Sequence, residues 1–308
     1  MIAVQTINGL QLGILLFLLS SGLTLTFGIM DLINLSHASF YMLGAFVCAS
    51  LTVLTGSFLL AIATAVPITA FIAFVVEWSI VGRLYQRDHL DQLLATFGLI
   101  LVADTLVHWF WGPSGLAVPL PAWLQGQVSL GASLFDSAIV IPTYRLLVLG
   151  FGIAVALGLF WLVGYTRTGM LIRAGASNRV MLSALGVNVR LLFTGVFALG
   201  SVFAALAGML IAPVTEASIG MGNDIIITAF VVVIIGGVGS IKGALLAALF
   251  IGLVDTFGRA FLDVLLMQIM SSQAAETAAP AISAMLIYLL MAVILVVKPQ
   301  GLFPPAQR

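Results

Sequence analysis

The sequence predicts an all-α polytopic membrane protein, with about eight to nine transmembrane or re-entrant helices in one bundle. Three observations carry this. Of 308 residues, 62% are hydrophobic and 7% are charged. A water-soluble domain carries about 25% charged residues, so lipid has to be the main solvent. The apolar runs approach the ~20 residues that a membrane-crossing helix needs. They are also continuous, without the in–out alternation of barrel strands.

Nine apolar segments can be drawn in order: 9–29, 32–54, 58–81, 92–111, 144–163, 190–212, 225–241, 243–262 and 280–297. Arg83 and Arg87 separate the third from the fourth. The stretch 112–143 carries Pro113, Pro119, Pro121 and Trp123, then the alternating run VSLGASLF. Prolines and a Trp suit an interfacial cap on the bundle. The seventh and eighth segments are short and joined by GGVGSIKG, so they read either as two crossings or as one broken, re-entrant element. Residues 263–279 are mixed in character and read as an interfacial or re-entrant stretch.

Orientation follows from the basic residues. With nine crossings, Arg83, Arg87, Arg167, Arg173, Arg179, Arg190, Lys242, Lys298 and Arg308 fall on one face, and Arg145 and Arg259 on the other. This predicts an external N-terminus, a periplasmic loop at 112–143 and a cytoplasmic loop at 164–190. No Lys or Arg precedes Arg83, so the start does not read as a cleaved signal peptide. The net charge of zero points to no nucleic acid, and the single cysteine, Cys48, allows no intrachain disulfide.

The segment GYTRTGMLIRAGASNRVMLSALGVNV, 164–189, concentrates basic residues between two apolar runs. Asn178 is a good N-cap, since its side-chain oxygen can accept from free amides of the next turn. Gly186 is a good helix terminator, since it reaches positive φ without a Cβ clash. Between them, 179–185 makes about two turns, too short to be stable alone in water. Val180 and Ala184 share a face, as do Met181 and Leu185. This helix needs a partner surface: either a docking protein or the lipid interface.

RTGMLIRAGASNRVMLSALGVNV resembles the cytoplasmic coupling segment of LivH-type permeases of branched-chain amino-acid ABC transporters. LINLSHASFYMLGAF, 32–46, resembles that family's Asn-x-x-His segment, with Asn34 and His37 in its positions and Ala38 where a small residue, often Gly, is expected. VVVIIGGVGSIKGALLAALFIG, 231–252, resembles its Gly-rich segment. The resemblance covers nearly the whole chain and implies one transmembrane permease domain, 1–308. It implies a second permease subunit, two cytoplasmic ATP-binding subunits and a periplasmic substrate-binding protein as partners. It also implies ATPase coupling through the 164–190 segment, carried onto Arg173, Asn178, Arg179, Ala184 and Gly186. It places the protein in the bacterial inner membrane and implies a branched-chain or other hydrophobic amino acid as substrate. Urea and short amides, handled by related permeases, stay open.

The run GGVGSIKG does not have nucleotide-loop spacing. It reads as a tight turn in which Gly239 and Gly243 form a close-packing GxxxG pair. Gly200, Ala204 and Gly208 make a second small-residue stripe for helix packing. Ionisable groups inside a membrane are costly and often functional. Asp104 and His108 share a face and can pair, Asp255 and Arg259 likewise, and Asn34 and His37 sit near the cytoplasmic end of the second segment. These groups serve either a pathway or structural pairing. No Ser–His–Asp set, HExxH or metal-ligand cluster is present. The expectation is a transport subunit without catalytic site, metal or cofactor, ATP hydrolysis residing in separate subunits. A self-powered secondary transporter or channel is the alternative class, and should show more central charges. A membrane-embedded enzyme is third.

Overall fold

A computed structural model describes residues 2–130 and 139–303. The helices are α1 (Ile2–Met30), α2 (His37–Thr55), α3 (Phe58–Ser79), α4 (His89–Trp111), α5 (Thr143–Tyr165), α6 (Arg167–Ser177), α7 (Arg179–Ala184), α8 (Val189–Thr215), α9 (Met221–Gly236), α10 (Ile241–Leu266) and α11 (Ser272–Val297). Eight of them are long and apolar enough to cross a membrane; α9 is apolar but shorter. A small antiparallel hairpin, β1 (Gln127–Leu130) with β2 (Ile139–Pro142), leads into α5. Part of the alternating run, residues 131–135, lies outside the described residues, as does Arg308.

α1 is the central post. It packs most extensively on α10 and α8, then on α9 and α5. It runs antiparallel to α10, with Gly9 and Gly13 against Gly252 and Leu249 at one end and Gly28 against Gly239 at the other. Small residues let these backbones approach, which lipid-embedded helices need because lipid is as apolar as leucine. The hydroxyls along α1 bond to its own carbonyls: Ser21 to Leu18 at 2.9 Å and Thr24 to Ser20 at 2.8 Å.

The chain turns back into the bundle after α1. His37, the first residue of α2, lies against Gly22 and contacts the Leu19 carbonyl at 3.2 Å. Gly22 is eight residues before Met30, about 12 Å along a helix. Residues 31–36 therefore climb back inside, and α2 starts at depth. α9 also starts at depth, with Gly222 against Ala38. Aromatic side chains mark the two ends of the peripheral helices. Trp78, Trp161 and Tyr165 are exposed at one end, and Trp109, Phe110 and Trp123 at the other, as interfacial belts require.

One expectation needs correction, and two others gain their geometry. The segment 164–190 is not a loop holding one short helix: it contains two helices, α6 and α7. α6 was hidden because its inward face, Gly169, Ile172 and Gly175, is mostly glycine. Residues 263–279 form a helical hairpin end: α10 continues to Leu266 and α11 begins at Ser272. The tight turn brings both Gly239 and Gly243 against backbone, each with its own partner. Gly239 sits in the turn before α10 with φ +81 and meets Gly28, while Gly243 meets Gly236.

Candidate functional site

The α6–α7 segment begins with a capped turn, Thr166 Oγ1 accepting from the Gly169 amide at 3.0 Å. α6 buries Ile172, and Gly175 lies against Leu182, Leu192 and Ile29. Leu182 is thus the pin that seats α7 on the bundle. Asn178 Oδ1 accepts from the Met181 amide at 2.9 Å. Gly186, at φ +84, donates to the Ser183 carbonyl at 3.0 Å, and Val187 to Leu182 at 3.3 Å. This paired ending satisfies carbonyls that a free helix end leaves open.

With both ends closed and Leu182 seated, α7 turns the rest of its apolar surface outward. Val180 is 75% exposed, Met181 59% and Leu185 74%. Arg179 and Ala184 are exposed beside them. Arg173 has a structural task as well: its guanidinium donates to the carbonyls of Val163 and Gly164, at the C-terminus of α5.

Sequence reasoning did not single out Glu77. It is fully buried in the last turn of α3. It accepts from the Tyr85 hydroxyl at 2.5 Å and from Thr194 Oγ1, on α8, at 2.7 Å. Burial pushes the Tyr85 phenol above its ordinary value, the hydrogen bond to Glu77 and its charge push further, and Arg190 pulls back slightly. The phenol therefore stays a proton donor. A lone Glu at the end of an apolar run reads as an interfacial group, and only the signal of a Tyr and a Thr at distant positions could have flagged it.

The break before α2 holds a buried polar cluster. Asn34 and His37 are fully buried, not at a membrane boundary as the segment limits suggested. Asn34 Oδ1 accepts from Ser36 at 2.7 Å. Two side chains of α4 hold the extended stretch: Gln92 Oε1 accepts from the Ile33 amide at 3.1 Å, and Thr96 Oγ1 from the Leu35 amide at 3.2 Å. Asn34 Nδ2, His37 Nδ1, Ser39 Oγ and Ser201 Oγ lack protein partners.

The stripe on α8 sits at this junction. Gly200 meets Gly22, Ala204 is fully buried, and a methyl at Gly208 would overlap the Tyr41 carbonyl. Asp104 does not pair with His108. It accepts instead from Asn223 at 2.8 Å, across from α4 to α9, and His108 is exposed. The i,i+4 spacing could not reveal a competitor supplied by another helix. Arg259 Nε donates to Asp255 at 2.9 Å. Among the described residues, no three His, Cys, Asp or Glu gather as a metal site.

A bundle of long apolar helices, with polar groups buried at a helix break and an exposed amphipathic pair at one end, defines a multi-pass membrane protein. The family model described as "Branched-chain amino acid transport system / permease component" matches residues 5–295. The chain belongs to that family. It is similar to the high-affinity branched-chain amino acid transport system permease protein BraD of Pseudomonas aeruginosa, at 28% identity over 82% of this chain and 85% of the relative. It is 29% identical to the corresponding LivH protein of Escherichia coli K12, over 84% of this chain and 86% of the relative. The ribose import permease protein RbsC of E. coli K12 matches at 25% identity, over 80% of this chain and 72% of the relative. No solved structure matches.

Proposed function

We propose that the chain is the permease subunit of an ATP-driven importer in the bacterial inner membrane, carrying branched-chain or other hydrophobic amino acids. It pairs with a second permease subunit, and two cytoplasmic ATP-binding subunits and a periplasmic substrate-binding protein complete the machine. The substrate class rests on the names of the relatives, BraD and LivH being more similar to this chain than RbsC. The end that carries Arg83, Arg87, α6, α7, Lys242 and Lys298 faces the cytoplasm, by the bias of basic residues.

The observation that carries the ATP-driven reading is the outward surface of α7. The helix is capped at both ends and pinned by Leu182, yet leaves Val180, Met181 and Leu185 uncovered. An ATP-binding subunit seated there can push on α8 through the four-residue link from Leu185 to Asn188. Ala184→Asp tests this, because a charge buried without a partner costs several kcal/mol. Uptake should collapse and the ATP-binding subunits should co-purify less well, with membrane insertion unchanged. Wild-type uptake with normal subunit stoichiometry would return α7 to the lipid interface and favour a self-powered transporter.

A further inference from the structure

Glu77 occupies an unusual place for a carboxylate. It is fully buried, and among the described residues no Lys, Arg or His lies within salt-bridge distance. Two hydroxyls satisfy it, and they come from different elements. Tyr85 belongs to the connector between α3 and α4, and Thr194 to the second turn of α8. The Tyr85 ring also packs edge-on against Phe193, with centroids 5.4 Å apart at 89°. The connector therefore grips α8 both through the carboxylate and directly. An apolar residue would fill the same space without the cost of burying a polar group, so packing alone gives no reason for Glu77.

Its position gives one. α8 is the helix that α7 feeds, and Thr194 lies six residues beyond the Asn188 cap. Above it, α8 meets α1 and α2 at Gly200 and Gly208. A displacement entering at α7 reaches Thr194 before it reaches that junction. We propose that Glu77 is a positioning residue for transport: with Thr194 and Tyr85 it latches α3 and the α3–α4 connector to α8, so that movement of α7 shifts these elements together. This rests on the docking role of α7 proposed above.

The test uses the complete transporter in proteoliposomes, with substrate-binding protein outside and ATP on the side of the ATP-binding subunits. Thr194→Val keeps the shape and removes the hydroxyl; Thr194→Ser keeps the hydroxyl. Tyr85→Phe removes the second donor and keeps the ring against Phe193. Thr194→Val should keep subunit stoichiometry and ATP hydrolysis but raise the ATP consumed per substrate by about tenfold, the factor that corresponds to ~1.4 kcal/mol. Tyr85→Phe should shift the ratio the same way, and Thr194→Ser should restore it. An unchanged ratio in Thr194→Val and Tyr85→Phe, with wild-type coupling intact, overturns the latch and leaves the importer standing. A parallel fall in uptake and hydrolysis with loss of assembly also overturns it, since that is a merely structural role. A wild-type preparation without ATP-dependent uptake removes the importer, and the latch with it.

Discussion

The most apolar windows of α1 and α11 average 2.1 and 2.6 in hydropathy, yet 83% of the first and 11% of the second is buried. α8 and α5 repeat the contrast, at 2.2 and 2.6 in hydropathy but 72% and 22% buried. The more hydrophobic helix of each pair is the more exposed one. In water this order would be perverse. In lipid it is expected, because burial there brings no hydrophobic gain and has to come from close packing and polar contacts. The centre accordingly sets glycine, alanine, serine and threonine among its buried Leu and Phe side chains, such as Phe17 and Phe197, whereas the outward faces of the peripheral helices are large and apolar. α4, α5 and α11 present Leu94, Leu101, Leu157, Leu289 and Val296 outward.

The sharpest way to break this contrast is to enlarge a central glycine. Gly208→Leu should disrupt the α8–α2 contact, where even a methyl overlaps the Tyr41 carbonyl. Overpacking costs typically 1–3 kcal/mol, occasionally more, and this site is at the upper end because the obstacle is backbone. Thermal melting of the purified complex should show the largest loss of the series. An unchanged melting temperature would mean that α8 does not pack on α2 in this way.

A step down is Gln92→Leu. It strips the acceptor from the Ile33 amide and the donor from the Leu84 and Arg87 carbonyls. An unsatisfied buried backbone group costs about 1–3 kcal/mol. Faster hydrogen exchange confined to residues 31–36 is the expected signature, with a smaller drop in melting temperature than Gly208→Leu gives. Unaltered exchange there would show that the break does not lean on α4.

Gly158→Ala on α5 should be the smallest effect, and of opposite sign. A Cβ at Gly158 meets nothing within 4 Å. Alanine in a helix interior is favoured over glycine by roughly 0.5–1 kcal/mol. A stability equal to or slightly above wild type is expected in the same melting assay. A clear loss would place a partner against this face of α5.

The same contrast explains what the sequence revealed. The spans were legible because hydropathy reports length in lipid: segment 92–111 became α4, and 144–163 became α5. The α8 stripe was legible because glycine and alanine at i,i+4 have few uses in a membrane helix other than close approach. The cap and terminator of α7 were legible because Asn178 and Gly186 act locally. The return after α1 was not, since LINLSHASF is apolar enough to read as helix throughout. Only Gln92 and Thr96, some sixty residues away, hold it extended. Glu77 and the Asp104–Asn223 pair were missed for the same reason: their partners lie on other helices, where no spacing rule reaches.

The placement of α1 has a consequence for how the chain is made. α1 is synthesised well before its main neighbours, α8 and α10. For most of translation α1 stands in the bilayer without the helices that will enclose it, carrying Ser20, Ser21, Thr24 and Thr26 through the hydrocarbon. Each of these hydroxyls donates to a carbonyl three or four residues back on α1 itself. α1 is thus able to keep these donors satisfied on its own, so a nascent chain can hold this span in place before α8 and α10 exist.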